Sequence, residues 1–396
     1  MRNILKYILI ISIGAKPLID LTWAYNIIGG LNFQGASLII IAMLLLVTLK
    51  EYKINKVFIP LLVFMVLLII NSIVQPEMIS ANLKFIMSFF YLPAIVFYLT
   101  SVEDYKKTFW ILFCSMLLIS FISYLQAMGK YPYYYFTASI IQGQRIGRAS
   151  GGFGHPNDYM RFFVPLIIFF LILRNHKCLS KKHLRYAYTG FLFMLPAAFL
   201  TFHRMSYLII ILSVLIDLIY RNKFKWIGAF VLFLLFIIVK YADQLYFSIL
   251  ATRLRIEDGI SGLFHGGRLS AFYDRVQGYL SADFHDKIFG SGLFDGFEHG
   301  DNDFGRVLYS VGIIALISLV WYHVLYWIRL YRFKNKYDTY SLVLCGFMFF
   351  AFSLTTDPTR YPSFLLLYFI LVSAGLKNLF KMLDIPQKAG RQVKLQ

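Results

Sequence analysis

Apolar runs of about bilayer length return from one end of this chain to the other, and they constrain its fold more than any other feature. A helix needs about 20 apolar residues to cross the hydrocarbon layer. Twelve stretches approach that length: Ile4–Trp23, Gly35–Leu49, Val57–Val74, Leu83–Leu99, Thr108–Met128, Met160–Leu173, Tyr186–Phe202, Met205–Tyr220, Trp226–Tyr241, Gly305–Ile328, Tyr340–Leu354 and Pro362–Phe380. Lipid offers no partner to backbone N–H and C=O groups, so such spans fold as helices. The reading is an all-α, polytopic membrane helical bundle of about 12 transmembrane helices, a single membrane domain over residues 1–396. Residues 242–304 form its one large extracytoplasmic loop. Ile4–Trp23 holds Lys16, Pro17 and Asp20, and Pro17 predicts a kink. No small-residue cleavage site follows this run, so it reads as a retained helix rather than a removed signal.

Composition agrees. Only 15% of residues are charged, against about 25% in soluble domains. The net charge of +19 could point to nucleic acid, but its distribution points to membrane topology. With the N-terminus in the cytoplasm, the basic residues fall in inner segments. These hold Arg2 and Lys6; Lys50, Lys53 and Lys56; Lys106 and Lys107; Arg174 to Arg185; Arg221, Lys223 and Lys225; Arg329 to Lys336; and Lys377 onward. Short outer loops are nearly bare. The 40 Phe and 28 Tyr suit lipid-facing rings and interfacial belts, and Tyr131–Phe136 is one such patch. Cys114 and Cys345 lie in apolar runs and Cys178 in a basic loop. Without a CxxC or metal spacing, neither redox nor thiolate chemistry is indicated.

Polar groups gather instead in the outer segments, where charge beside hydrocarbon is retained for a use. Arg148 to Asp158 (RASGGFGHPND) combines glycines, which let a ligand approach the backbone, with Arg148, His155, Asn157 and Asp158. Arg145 and Arg148 could bind phosphate; the bland alternative is a glycine turn with Asn157 or Asp158 capping the next helix. Thr201 to Ser206 (TFHRMS) is a tight turn carrying His203 and Arg204. Arg204 offers a planar fork of donors to a lipid phosphate, or else snorkels to headgroups.

In the long loop, Leu269, Phe272, Tyr273, Val276 and Leu280 recur at helical spacing, as in an amphipathic helix on the membrane surface. Arg268 sits at its head after two glycines, aimed by a turn or simply facing water. The last island, Phe289 to Gly312, brings Glu298, His299, Asp301, Asn302, Asp303 and Arg306 up to the next helix. A carboxylate or imidazole there could deprotonate a hydroxyl, although one of Asp301, Asn302 and Asp303 serves equally as an N-cap. His299, Asp301 and Asp303 alternate but match no fixed metal-ligand spacing. Ion-coupled transporters carry ionisable groups at mid-membrane. Here Lys16, Asp20 and Asp217 all lie toward span ends.

Taken in order, these stretches resemble the O-antigen ligase and Wzy-type polymerase superfamily of bacterial surface-glycan assembly. The resemblance rests on Arg148–Asn157, the Thr201–Arg204 turn, Gly267-Arg268, and Phe289–Gly292 followed by Asp301–Gly312. It implies a GT-C-like bundle in the bacterial cytoplasmic membrane, with both termini cytoplasmic and the active site on the extracytoplasmic face. It also implies metal-independent, inverting glycosyl transfer without a cofactor. Its substrate would be an undecaprenyl-pyrophosphate-linked oligosaccharide, for O-antigen or capsule, with a chain-length regulator as companion protein. Arg148, Arg204 and Arg268 would take the pyrophosphate. Asp301 would be the first candidate base, followed by His299, Asp303 and His155, with Asn157, Asn302, Arg306 and His203 in support. Ligases of the superfamily have a histidine, then Asn, Ser or Gln, then nine residues, then an inner glycine. Asp301-Asn302 precede Gly312 in that frame here, which favours polymerase over ligase. A flippase or other transporter is the third alternative, and would need two pseudo-symmetric halves.

Overall fold

A computed structural model describes residues 2–21, 26–28, 31–32, 56–74, 86, 91–92, 94–130, 139–141, 144–146, 149–153, 156–201, 203–229, 231–232, 276–290, 303–334, 338–355 and 362–379. Helices dominate them: α1 (Arg2–Gly14), α2 (Lys16–Leu21), α3 (Ile59–Val74), α4 (Val102–Ala127), α5 (Pro156–Asn175), α6 (Lys181–Phe199), α7 (Arg204–Tyr220), α8 (Phe284–Phe289), α9 (Asp303–Val311), α10 (Ile313–Arg332), α11 (Thr339–Thr355) and α12 (Pro362–Leu376). Residues 94–98, 224–229 and 276–281 are helical as well. Two short antiparallel hairpins, with two or three residues per strand, accompany the helices among the described residues. β1 (Asn26–Ile28) pairs with β2 (Leu31–Asn32), and β3 (Ser139–Ile141) with β4 (Gln144–Ile146).

Among the described residues three helices are long and apolar enough to cross a membrane, Lys56–Val74, Val102–Ala127 and Ile313–Arg332, and four further apolar helices are shorter. Their outward side chains stay apolar, as at Ile73, 72% exposed, and Ile317, 58% exposed. Such a surface suits hydrocarbon rather than water. Of the expected spans, Gly35–Leu49 lies outside the described residues, and Leu83–Leu99 and Trp226–Tyr241 lie partly outside. The first span breaks between α1 and α2 at Ala15, just before Pro17, whose ring occupies the first turn of α2. Gly305–Ile328, expected as one span, is two helices, α9 and α10, parted at Gly312.

Local signals set the helix starts. Ser101 caps α4 through a reciprocal box with Asp104: the Asp104 amide donates to Ser101 Oγ at 3.3 Å, and the Ser101 amide donates to Asp104 Oδ2 at 3.0 Å. Ser180 caps α6 at His183. Asn157 and Asp158, expected as caps, instead lie inside the first turn of α5, which starts at Pro156. Proline suits a first helical position because it has no amide to leave orphaned, and Asp158 pairs with Arg161 one turn on.

Contacts between helices fix which ends lie together. Lys6 pairs with Asp104 at 3.0 Å, and Lys377 Nζ donates to the carbonyls of Val96 and Leu99 at 2.5 and 3.1 Å. Asp217 binds Arg174 and accepts from Tyr340 Oη at 2.5 Å. His176 lies 2.7 Å from Asp338, whose amide donates to the Gly375 carbonyl. The starts of α1, α4 and α11 thus share one end of the bundle with the ends of α5, α7 and α12, and most of the described basic segments collect there. Between the ends, rings fill the core. Phe349 stacks on Tyr368 with centroids 4.5 Å apart, and Tyr322 and Tyr368 join hydroxyls at the same level.

Candidate functional site

The opposite end carries the two described islands. Gln126, in the last turn of α4, is 2% exposed and turns its amide toward the segment that follows Arg148. Its Oε1 accepts from the amides of Ser150 at 3.0 Å and Gly151 at 2.9 Å, and its Nε2 donates to Ser150 Oγ at 3.2 Å. The Ala149 amide donates to the carbonyl of Leu200, at the end of α6, at 2.9 Å. Tyr159 braces this corner from below: its hydroxyl lies 2.7 Å from Ser120 Oγ and donates to the Met194 carbonyl at 3.2 Å. The glycine-rich island is therefore tied by its backbone to the Thr201–Arg204 turn.

That turn is built by capping. Thr201 Oγ1 donates to the Ala198 carbonyl at 2.7 Å. His203 is the N-cap of α7. Its Nδ1 accepts from the Ser206 amide at 3.2 Å and lies 2.6 Å from Ser206 Oγ, with the ring 5% exposed. The cap fixes this imidazole's orientation, which makes His203 a positioning element of the turn. Arg204 is the first residue of α7, so its backbone stands at the same end of the bundle as Ala149, next in sequence to Arg148.

The third element lies where α8, α9 and α10 meet α3. Gly290 ends α8 with φ 81°, and Gly312 divides α9 from α10 with φ 93°. Only glycine adopts such values without strain. The two backbones cross in contact: a Cβ on Gly290 would overlap the carbonyl of Ser310, and one on Gly312 would overlap the carbonyl of Ile288. Asn71, 1% exposed near the end of α3, clamps the crossing by donating from Nδ2 to the carbonyls of Phe289 at 2.7 Å and Ser310 at 3.4 Å. Tyr326 of α10 donates to the Leu342 carbonyl of α11, and Tyr340 Oη lies 3.5 Å from the Leu171 carbonyl of α5. These antiparallel contacts put the Gly290–Gly312 crossing at the same end as Ala149 and Leu200.

At Gly312 the chain reverses. Phe304, in the first turn of α9, packs its ring 5.8 Å from His323 and 6.4 Å from Phe350. A continuous helix would separate residues 304 and 323 by about 28 Å. α9 is thus a short helix folded back along α10, buried over most of its length, with Arg306 6% exposed in its first turns. The expectation of one helix through Gly312 is corrected by the glycine's φ and its backbone contact. Asp303, which opens α9, stands near the level of His323, about half way along α10, rather than at the bundle's mouth.

Several candidates lie outside the described residues: Arg148, His155, Arg268, His299, Asp301 and Asn302. Of Arg204 and Asp303 only the backbone placement is described. Asn157 is half-buried in the first turn of α5. Sequence reasoning missed Asn71 and Gln126, the two amides that hold the islands in place. Each is a lone carboxamide near the end of an apolar run, and a buried amide needs partners, which is a usable signal. No protein-family model matches this chain, and no curated protein matches it.

Proposed function

We propose that this chain is a multi-pass membrane glycosyltransferase that polymerises surface-polysaccharide repeat units carried on undecaprenyl pyrophosphate. The observation that carries the reading is the pairing of two sequence islands with one bundle end. Ala149 bonds to Leu200, so the chain next to Arg148 meets the chain that leads into the Arg204 turn, and the crossing of Gly290 and Gly312 lies at that same end. The bundle would sit in the bacterial cytoplasmic membrane with about twelve spans, its basic end and both termini cytoplasmic.

In the proposed reaction the acceptor hydroxyl of an incoming lipid-linked unit attacks the anomeric carbon of the growing glycan. The bond from that carbon to the pyrophosphate oxygen breaks on the opposite face, and the configuration inverts. Asp301 takes the hydroxyl proton, and undecaprenyl pyrophosphate leaves with the bonding electrons. Arg148, Arg204 and Arg268 would stabilise the departing charge, an electrostatic task suited to fixed guanidinium groups. His299, Asp303 and His155 are the next candidates for the base. The descent of α9 to mid-bundle supports an enclosed site, because residues 305–308 of α9 are buried.

A ligase would share the donor arginines and differ in its acceptor. Asp301 in the frame of the ligase histidine is the feature that favours polymerase. Reconstituted protein supplied with lipid-linked repeat units separates the readings. Long glycan still on undecaprenyl pyrophosphate supports the polymerase, glycan moved to another acceptor supports a ligase, and units that cross the bilayer without elongation support a flippase.

A further inference from the structure

A groove of about 410 Å³ opens between α1, α4 and α6 at the basic end of the bundle, remote from the islands. Its volume is in the range of small-molecule sites, about 300–1,000 Å³. One wall is aliphatic: Ile10, fully buried, with Ile11 and Ile111. Two aromatics follow. Trp110 sets its ring 5.4 Å from that of His183, and Tyr7 lies under the ammonium of Lys107, 5.1 Å from the ring centroid and 3.4 Å from the hydroxyl. The rim is charged. Lys106 is engaged by Glu103 at 2.8 Å, which leaves the Lys107 ammonium and the His183 ring as rim donors beside the Tyr7 hydroxyl and the Trp110 indole N–H. The exposed first turns of α6 also carry Lys181, Lys182 and Arg185, which make this end of the helix basic.

We propose that this groove binds an anionic glycerophospholipid. A groove with an aliphatic wall, a Trp and a Tyr at one level, and lysines above them matches the layers of a phospholipid at the membrane–water boundary. Trp and Tyr concentrate at that level, and lysine stems lie along apolar surface while their ammonium groups reach the headgroup. An acyl chain lies along Ile10, Ile11 and Ile111. The phosphate accepts from Lys107 Nζ and from the His183 ring, and the surrounding cations select a net negative headgroup over a zwitterionic one. Glu103 repels a second phosphate on the Lys106 side, which sets the headgroup toward Lys107. The inference needs the chain to lie in a bilayer but does not depend on which reaction it catalyses.

Native mass spectrometry of the delipidated, full-length protein tests this, with phosphatidylglycerol and phosphatidylcholine of identical acyl chains as probes. Phosphatidylglycerol is expected to be retained preferentially. Lys107→Gln should weaken that retention about fivefold, the worth of one lysine near an anionic surface, and His183→Asn should weaken it in the same direction. Lys223→Gln, at the same end but outside the groove, should leave it unchanged. The two groove variants change exposed side chains, and their thermal unfolding in detergent checks that each is folded. If one fails to fold, the other carries the test. Equal retention of the two lipids, or equal retention by wild type and the groove variants, overturns the proposal. Displacement of the lipid by millimolar inorganic phosphate would also overturn it, since that assigns the rim to a free anion.

Discussion

Asn71, Gln126, Gly290 and Gly312 do more to hold the site's frame than the charged residues beside them. Each buries a group whose replacement has a definite consequence. Gln126→Leu would leave the amides of Ser150 and Gly151 without their acceptor, and a buried unpaired amide costs about 1–3 kcal/mol. The expected result is a lower thermal midpoint for detergent-purified protein and a larger loss of transfer activity than of folded yield, because the segment beside Arg148 is released. Gly312→Ala meets both the positive φ and the Ile288 carbonyl, and should destabilise more than Gly305→Ala in the same assay. At the other end, Asp217→Asn leaves Arg174 without its carboxylate. Breaking a buried pair on one side costs about 3–5 kcal/mol, so this variant should unfold earlier with no selective effect on transfer.

At the scale of elements, the reversal at Gly312 is the feature to test. With the native cysteines replaced, Phe304→Cys and His323→Cys should be joined by a short bis-maleimide, as their rings now lie 5.8 Å apart. A straight helix would hold them about 28 Å apart, and absence of the cross-link would restore the single span. The sequence made most described spans legible because hydrophobic length and charged loops are properties of the composition itself. Val57–Val74, Thr108–Met128 and Tyr340–Leu354 each map onto a helix with ends shifted by a few residues. It concealed the α9–α10 reversal for an equally physical reason. A glycine inside an apolar run reads the same whether the chain passes through it or turns on it, and the difference lies in the backbone of Ile288 and Gly290, more than twenty residues away. It also concealed the hairpin β3–β4, whose residues carry no alternation strong enough to announce strands. The islands themselves were legible as outliers of polarity. That Ala149 would bond to Leu200 was not, because pairing across fifty residues leaves no mark in a single sequence.

For the whole molecule, charge and geometry agree on two unlike ends. One carries Lys6, Lys106, Lys107, Arg174, Arg221 and Lys377; the other carries the Thr201 turn and the Gly290–Gly312 crossing. A single cysteine at position 222 and another at position 129 should therefore be labelled by a membrane-impermeant maleimide from opposite sides of sealed vesicles. Labelling from the same side would break the proposed topology. The catalytic claim is tested most directly by elongation of purified lipid-linked repeat units in proteoliposomes by wild type, Arg204→Ala and Asp301→Asn. The account predicts long glycan on undecaprenyl pyrophosphate with wild type. It predicts a loss of about 10²–10³-fold for Arg204→Ala, as for removal of one donor to developing charge, and of about 10²–10⁴-fold for Asp301→Asn, as for loss of a general base. Wild-type protein that leaves the repeat units unextended, or folded variants that elongate as fast as wild type, would contradict it.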